Sequence, residues 1–238
     1  VTLLLTQPCA GPNGSSVTSS NATWGNQWDT NPTVTGAGST MTYDNAHTIH
    51  GNPTAILLHF ATVATVNTAI WKASITSAAV NGYMSFYIWR SADPSVAGTR
   101  IAHQVNASAS GPALQITTGG KLRIINSAGT NVGTSAASLA TNAWSRIDWS
   151  VTGISGSTGT ITAAFFTGAN LEGNTPDETP LSSGAGAAVG GLIADARIGC
   201  AVSVTQTVAW DLRVSDVRWS DTAMPTPVGR SNYLLFAA

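Results

Sequence analysis

Apolar and polar residues alternate along most of this chain. In GYMSFYIWR (82–90), Met84, Phe86 and Ile88 fall on one side and Tyr83, Ser85, Tyr87 and Trp89 on the other. TAILLHFAT (54–62) groups Ile56, Leu58 and Phe60 with His59 opposite, and WSRIDWSVT (144–152) groups Ile147, Trp149 and Val151 with Arg146 and Asp148 on the reverse. Successive strand residues point to opposite faces, so this period of two predicts strands with one buried side. The stretches 159–167 and 196–204 continue it, and apolar residues rarely recur at helical spacing, so no helix is expected. NSAGTN (126–131) and TGISGSTGT (152–160) each predict a hairpin turn. Strands at short intervals joined by such turns predict an all-β, two-sheet antiparallel sandwich with one wet face per sheet.

The stretch TVAWDLRVSDVRWSD (207–221) carries the densest charge. Val208, Trp210, Leu212 and Val214 read as inward, and Asp211 and Arg213 as outward. The apolar phase then shifts to Val217 and Trp219. A bulge near Ser215 produces such a shift and leaves Asp216 and Arg218 outside as well. These charges are expected to pair across strands with Arg146 and Asp148, as scaffold with no catalytic role.

No linker interrupts residues 39–221, which read as one sandwich domain. Residues 1–38 read as an irregular arm with a first strand, and 222–238 as a proline-containing tail. That tail ends in Tyr233, Leu234, Leu235 and Phe236, an apolar run expected to dock on the domain itself or, as an anchor, on a neighbouring subunit.

Only 9% of the 238 residues are charged and the net charge is −1, so Ser, Thr, Asn and Gly must make the polar surface. This excludes a chain-wide basic character for nucleic-acid binding. No apolar run approaches the ~20 residues of a membrane span. Cys9 and Cys200 are either free buried thiols or a pair; spacing does not decide.

The chemistry-bearing residues are few. Glycosidases need two carboxyl groups flanking the scissile bond. Here both glutamates, Glu172 and Glu178, lie in one loop, and no strand sets two carboxylates two or four residues apart. The expectation is therefore a non-enzymatic protein. Asp44, His47 and His50 in YDNAHTIHG form a candidate metal site, since imidazole and carboxylate suit several ions. His59 reads as a surface residue and His103 as a hydrogen-bonded core histidine. Tyr83, Tyr87 and Trp89 form a candidate glycan-stacking face, the alternative being that the loop 9–38 covers them.

With these strands in place, the run from GKLRIINSAGTNVG through WSRIDWSVTG to TVAWDLRVSDVRWSD resembles the laminin-G-like, concanavalin-A-like jelly rolls, and among them those of phage minor tail proteins. The resemblance covers about residues 9–221 and rests on Trp144, Arg146, Trp149, Gly199, Asp211, Val214, Asp216 and Trp219. It implies a jelly-roll sandwich serving as a virion structural protein on a tail or capsid surface. Its partners would be other virion proteins and copies of itself, with host-surface glycan as a further ligand and no nucleic acid. A free secreted lectin-like module is the alternative and a polysaccharide-cleaving enzyme the third reading. Many relatives bind calcium at a rim, which would place a calcium ion around Asp44, Asp211 or Asp216; otherwise no cofactor is expected.

Overall fold

The computed structural model describes residues 4–25, 27–29, 31–62, 70–106, 111–200 and 204–227. It is an all-β jelly-roll sandwich of two antiparallel sheets, with no α-helix among the described residues. The strands are β1 (Leu5–Gln7), β2 (Thr40–Asp44), β3 (Ala55–Phe60), β4 (Ile70–Ala79), β5 (Gly82–Arg90), β6 (Thr99–Val105), β7 (Ala113–Ile116) and β8 (Lys121–Ile125). They continue with β9 (Asn131–Ser138), β10 (Trp144–Ser155), β11 (Thr158–Thr167), β12 (Leu181–Ser182), β13 (Ala187–Ala188), β14 (Ile193–Gly199) and β15 (Trp210–Ser220).

One sheet has nine strands, in the order β12-β11-β10-β5-β15-β3-β2, with β1 beside β15 and β13 beside β11. The other has six, in the order β4-β14-β6-β7-β8-β9. Both expected hairpins form, β8 with β9 and β10 with β11.

The core lies between the sheets. Ile56, Leu58, Phe86, Ile147, Trp149, Val214 and Trp219 from the larger sheet meet Leu114, Leu122, Ile124 and Ile198 from the smaller. Area removed from water is the main stabilising term of such a core, at about 25 cal/mol per Å². Trp219 also donates its indole N–H to Gln104 Oε1 across the sandwich at 3.0 Å, so the two sheets are tied by a buried polar bond as well.

The shift in β15 falls where its apolar phase changes. Ser215 pairs with Tyr87 and Arg218 with Ser85, so three steps on β15 match two on β5 and one residue is extra. Asp216 adopts φ 49 within this bulge. Beyond it β1 takes the place beside β15 that β3 held before it. The N-terminal segment is thus a paired strand with a buried continuation (Cys9, Ala10 and Val17) and wanders less than its composition suggested. Val208, expected inward, is 56% exposed because β15 begins only at Trp210. Cys9 and Cys200 are both buried and are not bonded to each other. The tail residues Tyr233, Leu234, Leu235 and Phe236 lie outside the described residues.

Candidate active site

The outer face of the nine-stranded sheet carries the site. Across neighbouring strands, Trp144, Trp89 and Arg213 form one row and Phe166, Arg146, Tyr87 and Ser215 the next. Two loops fold onto these rows. The first turns at Ile49–Asn52, where His50 (φ 57) and Gly51 (φ 74) are both left-handed and Asn52 donates its backbone N–H to Ile49 O at 3.1 Å. The left-handed turn carries the His50 side chain to the sheet, where it is only 4% exposed.

The second loop follows β11. After a single 3-10 turn (Gly168–Asn170) it brings Glu172 over the sheet. Arg146 fixes it, donating Nη1–H to Leu171 O at 2.7 Å and Nη2–H to Gly173 O at 2.8 Å, one carbonyl on each side of Glu172. Arg146 is itself 1% exposed, lies over the Phe166 ring at 3.7 Å, and pairs with Asp148 through Nε and Nη2, both at 3.2 Å. Ser85 donates to the same Asp148 carboxylate at 2.7 Å.

These loops build a continuous relay. His50 Nε2 lies 2.6 Å from Glu172 Oε1, and His50 Nδ1 lies 2.6 Å from Asp216 Oδ2. Tyr87 donates its hydroxyl to Glu172 Oε2 at 2.9 Å. Asn52 donates to Asp216 Oδ1 at 3.2 Å and to Ser215 Oγ at 3.0 Å, and Ser215 donates to Pro8 O at 3.1 Å. Burial pulls the His50 pKa down, but hydrogen bonds and charges from Asp216 and Glu172 outweigh it and leave it raised above 6.5. With a carboxylate on each ring nitrogen, His50 is an imidazolium donating twice. Burial, followed by the Glu172 carboxylate, keeps the Tyr87 phenol protonated.

The relay opens on a cleft of about 470 Å³ lined by Thr48, Ile49, His50, Trp144, Leu171 and Glu172, with Gly168 and Ala169. Glu172, with 31% of its side chain exposed, is the carboxylate on this wall, whereas Asp216 lies behind His50 at 3%. A half-buried Trp144 supplies an aromatic surface.

Several expectations need correction. Tyr87 and Trp89 do not form an open stacking face: they are 1% and 6% exposed. The loop carrying His47 and His50 covers them. His47 stacks on Trp89 at 3.9 Å and His50 meets Tyr87 edge-on at 4.5 Å. Tyr83 is partly exposed further along the strand. Asp44, His47 and His50 do not converge as a metal triad, because Asp44 pairs with Arg213 at 2.5 Å, His47 with Trp89 and His50 with the two carboxylates. Among the described residues no group of three or more His, Cys, Asp or Glu side chains is arranged to hold a metal ion, around Asp211 or Asp216 included.

Nor do Asp211 and Asp216 pair with Arg146 and Asp148. Asp211 meets His59 at 2.6 Å, Asp216 meets His50, and Arg146 and Asp148 pair within their own strand. His103 is buried as expected, but its Nε2 has no hydrogen-bond partner. Glu172 carries little local signal because it stands in a loop; the one hint of it is that acids of any kind are scarce.

No family model and no curated protein matches the chain. Solved structures do share its fold. The cellulose-induced protein Cip1 superposes with a TM-score of 0.58 at 8% identity, over 80% of this chain and 91% of that one. An endo-β-1,4-glucuronan lyase from the fungus Trichoderma reesei gives 0.57 at 12% identity, over 92% and 95%. Alginate lyase Aly36B gives 0.52 at 10% identity, over 93% and 98%. At such identities the likeness establishes the jelly-roll fold. It also overturns the expectation of a non-enzymatic virion structural protein, since these neighbours include polysaccharide lyases and the outer face expected to be scaffold holds the relay.

Proposed function

We propose that the cleft is the active centre of a polysaccharide lyase that cleaves a uronate-containing polymer by β-elimination. The observation that carries this reading is the Glu172–His50–Asp216 relay on the cleft wall, and the shared fold of a glucuronan lyase and an alginate lyase supports it. Elimination needs a base for the proton on the carbon next to the carboxyl group, a cation for the charge that then builds there, and a proton for the departing oxygen. Glu172 takes the carbon-bound proton. The electron pair forms a carbon–carbon double bond as the bond to the leaving sugar oxygen breaks, and Glu172 returns the proton to that oxygen. His50, whose two N–H groups are taken by Glu172 and Asp216, lends its positive charge through space to the charge that develops on the uronate, and Asp216 keeps the ring protonated and oriented. Arg146 is a positioning residue, holding the backbone on both sides of Glu172.

The test is incubation of the chain with polyglucuronate, alginate, polygalacturonate and a neutral β-glucan, following the ultraviolet absorbance of the new unsaturated uronate. Absorbance should rise with at least one acidic polymer and stay flat with the neutral one. Glu172→Gln should lower the rate by about 10²–10⁴-fold, the usual contribution of a positioned acid–base group. No rise on any acidic polymer contradicts the proposal.

A further inference from the structure

The two sheets differ in charge. The strands of the nine-stranded sheet balance Asp44, Asp148, Asp211 and Asp216 against Arg90, Arg146, Arg213 and Arg218. Those of the six-stranded sheet carry Lys72, Arg100, Lys121, Arg123 and Arg197 against Asp195 alone. Half of the chain's ten basic residues therefore stand on six strands with a single acid.

Register gathers the key residues on the outer face. Leu114, Leu122 and Ile124 point into the core, so Gln115 and Arg123 point away from it. Arg100 pairs with Gln115 and Gln115 with Arg123, which puts the two arginines in one row with one strand between them. Arg197 pairs with His103 and His103 with Ala113, forming the adjacent row. The irregular register between Arg100 and Ala102 brings Arg100 onto the His103 side. Neighbouring strands lie about 4.8 Å apart, so these groups span roughly 15 Å across four strands.

Their donors are not used up within the fold. The Nε atoms of Arg100, Arg123 and Arg197 and the Nε2 atom of His103 are buried without a hydrogen-bond partner. His103 is only 2% exposed, and burial first, then the charges of Arg100 and Arg197, push its pKa down to about 3, so it is neutral. Asp195, the one carboxylate on the strands of this sheet among the described residues, bonds Arg197 Nη2 at 3.0 Å. Arg100, Arg123 and Arg197 are each partly exposed, so their charge reaches the surface, and its excess over a single acid suits an anionic partner.

From this we infer that the outer face of the six-stranded sheet is a second binding site, separate from the cleft, for the anionic groups of an acidic polysaccharide. Guanidinium groups take carboxylates and sulfates through paired N–H donors. Groups spread over several strands suit a polymer with anions along its length better than one small ion. The inference shares with the cleft reading only the charge of the ligand, and it stands if the cleft performs a different reaction.

The experiment measures binding of an oligouronate by calorimetry to Glu172→Gln protein, which leaves this face intact while blocking turnover. Adding Arg100→Gln and Arg123→Gln should weaken binding by about tenfold or more per charge-assisted contact pair removed. In protein with Glu172 intact, the same two changes should leave turnover of a short oligosaccharide unaltered if the cleft is a lyase. Should the arginine variants fail to fold, phenylglyoxal labelling of the unmutated chain gives a second reading: an oligouronate should protect Arg100, Arg123 and Arg197 from modification. Unchanged affinity, no protection, equal binding of a neutral glucan, or binding of inorganic sulfate or a DNA oligonucleotide in place of the oligouronate would each overturn the inference.

Discussion

His50 and Asp216 meet across 166 residues of sequence, and both stand on left-handed backbone, at φ 57 and φ 49. A non-glycine residue held there costs on the order of 1–3 kcal/mol, which the surrounding contacts must offset. The turn at Ile49–Asn52 and the bulge in β15 hold that geometry so that one imidazole can face two carboxylates. The His50 pKa is raised, so its ion pairs contribute stability below the unfolded value of 6.5 and lose it as pH rises through the folded value. On the proposed mechanism kcat/KM should therefore fall on the alkaline side with an inflection above 6.5, a limb that His50→Gln should abolish in a pH–rate profile. Arg146→Lys keeps the charge but loses the planar fork that reaches two carbonyls and Asp148 together. It should lower kcat by about 10–100-fold with KM little changed, as misplacement of a reacting group does. Arg146→Ala strands the buried Asp148 and should cost roughly 3–5 kcal/mol in a denaturation experiment.

At the scale of elements, local alternation of side chains carries much of the fold. The period of two in 82–90 and 144–152 marks β5 and β10, and the slip from Val214 to Val217 locates the bulge, because a one-residue insertion is the only way to keep both apolar runs inside. The relay is not legible in the same way. Glu172 lies on a loop whose path depends on two backbone carbonyls captured by Arg146, and no local pattern encodes that capture. The arm after β1 hides for a similar reason: the Gly, Ser and Asn content of 9–38 reads as coil, yet Cys9, Ala10 and Val17 are buried, and just before them β1 pairs with β15 and Pro8 O accepts bonds from Asn52 and Ser215. Deleting residues 1–8 should accordingly lower both the melting temperature and the activity, because it removes the support behind Asp216. Gly82 is a separate packing requirement at the start of β5. A Cβ there would lie 2.1 Å from Gln104 Oε1 and 2.6 Å from Ile193 Cδ1, so Gly82→Ala should destabilise by about 1–3 kcal/mol while sparing the cleft.

For the whole molecule, the sandwich separates two kinds of polar surface. The nine-stranded sheet carries balanced charge, much of it in ion pairs around a cleft, whereas the strands of the six-stranded sheet carry a cationic excess. A net charge of −1 conceals this division, which is why composition holds no hint of an anionic ligand. Binding at the six-stranded sheet should weaken steeply with added salt, since partly exposed charges are screened over about 8–10 Å at moderate ionic strength. The central claim, that the Glu172–His50–Asp216 cleft breaks a polyuronate by elimination, is tested most directly by mass spectrometry of the final oligosaccharides. Elimination yields fragments with an unsaturated end, lighter by one water than the products of hydrolysis. The account predicts these fragments from the unmutated chain and their loss with Glu172→Gln. Fragments that are all saturated, or unsaturated ones formed equally well by Glu172→Gln, would contradict it.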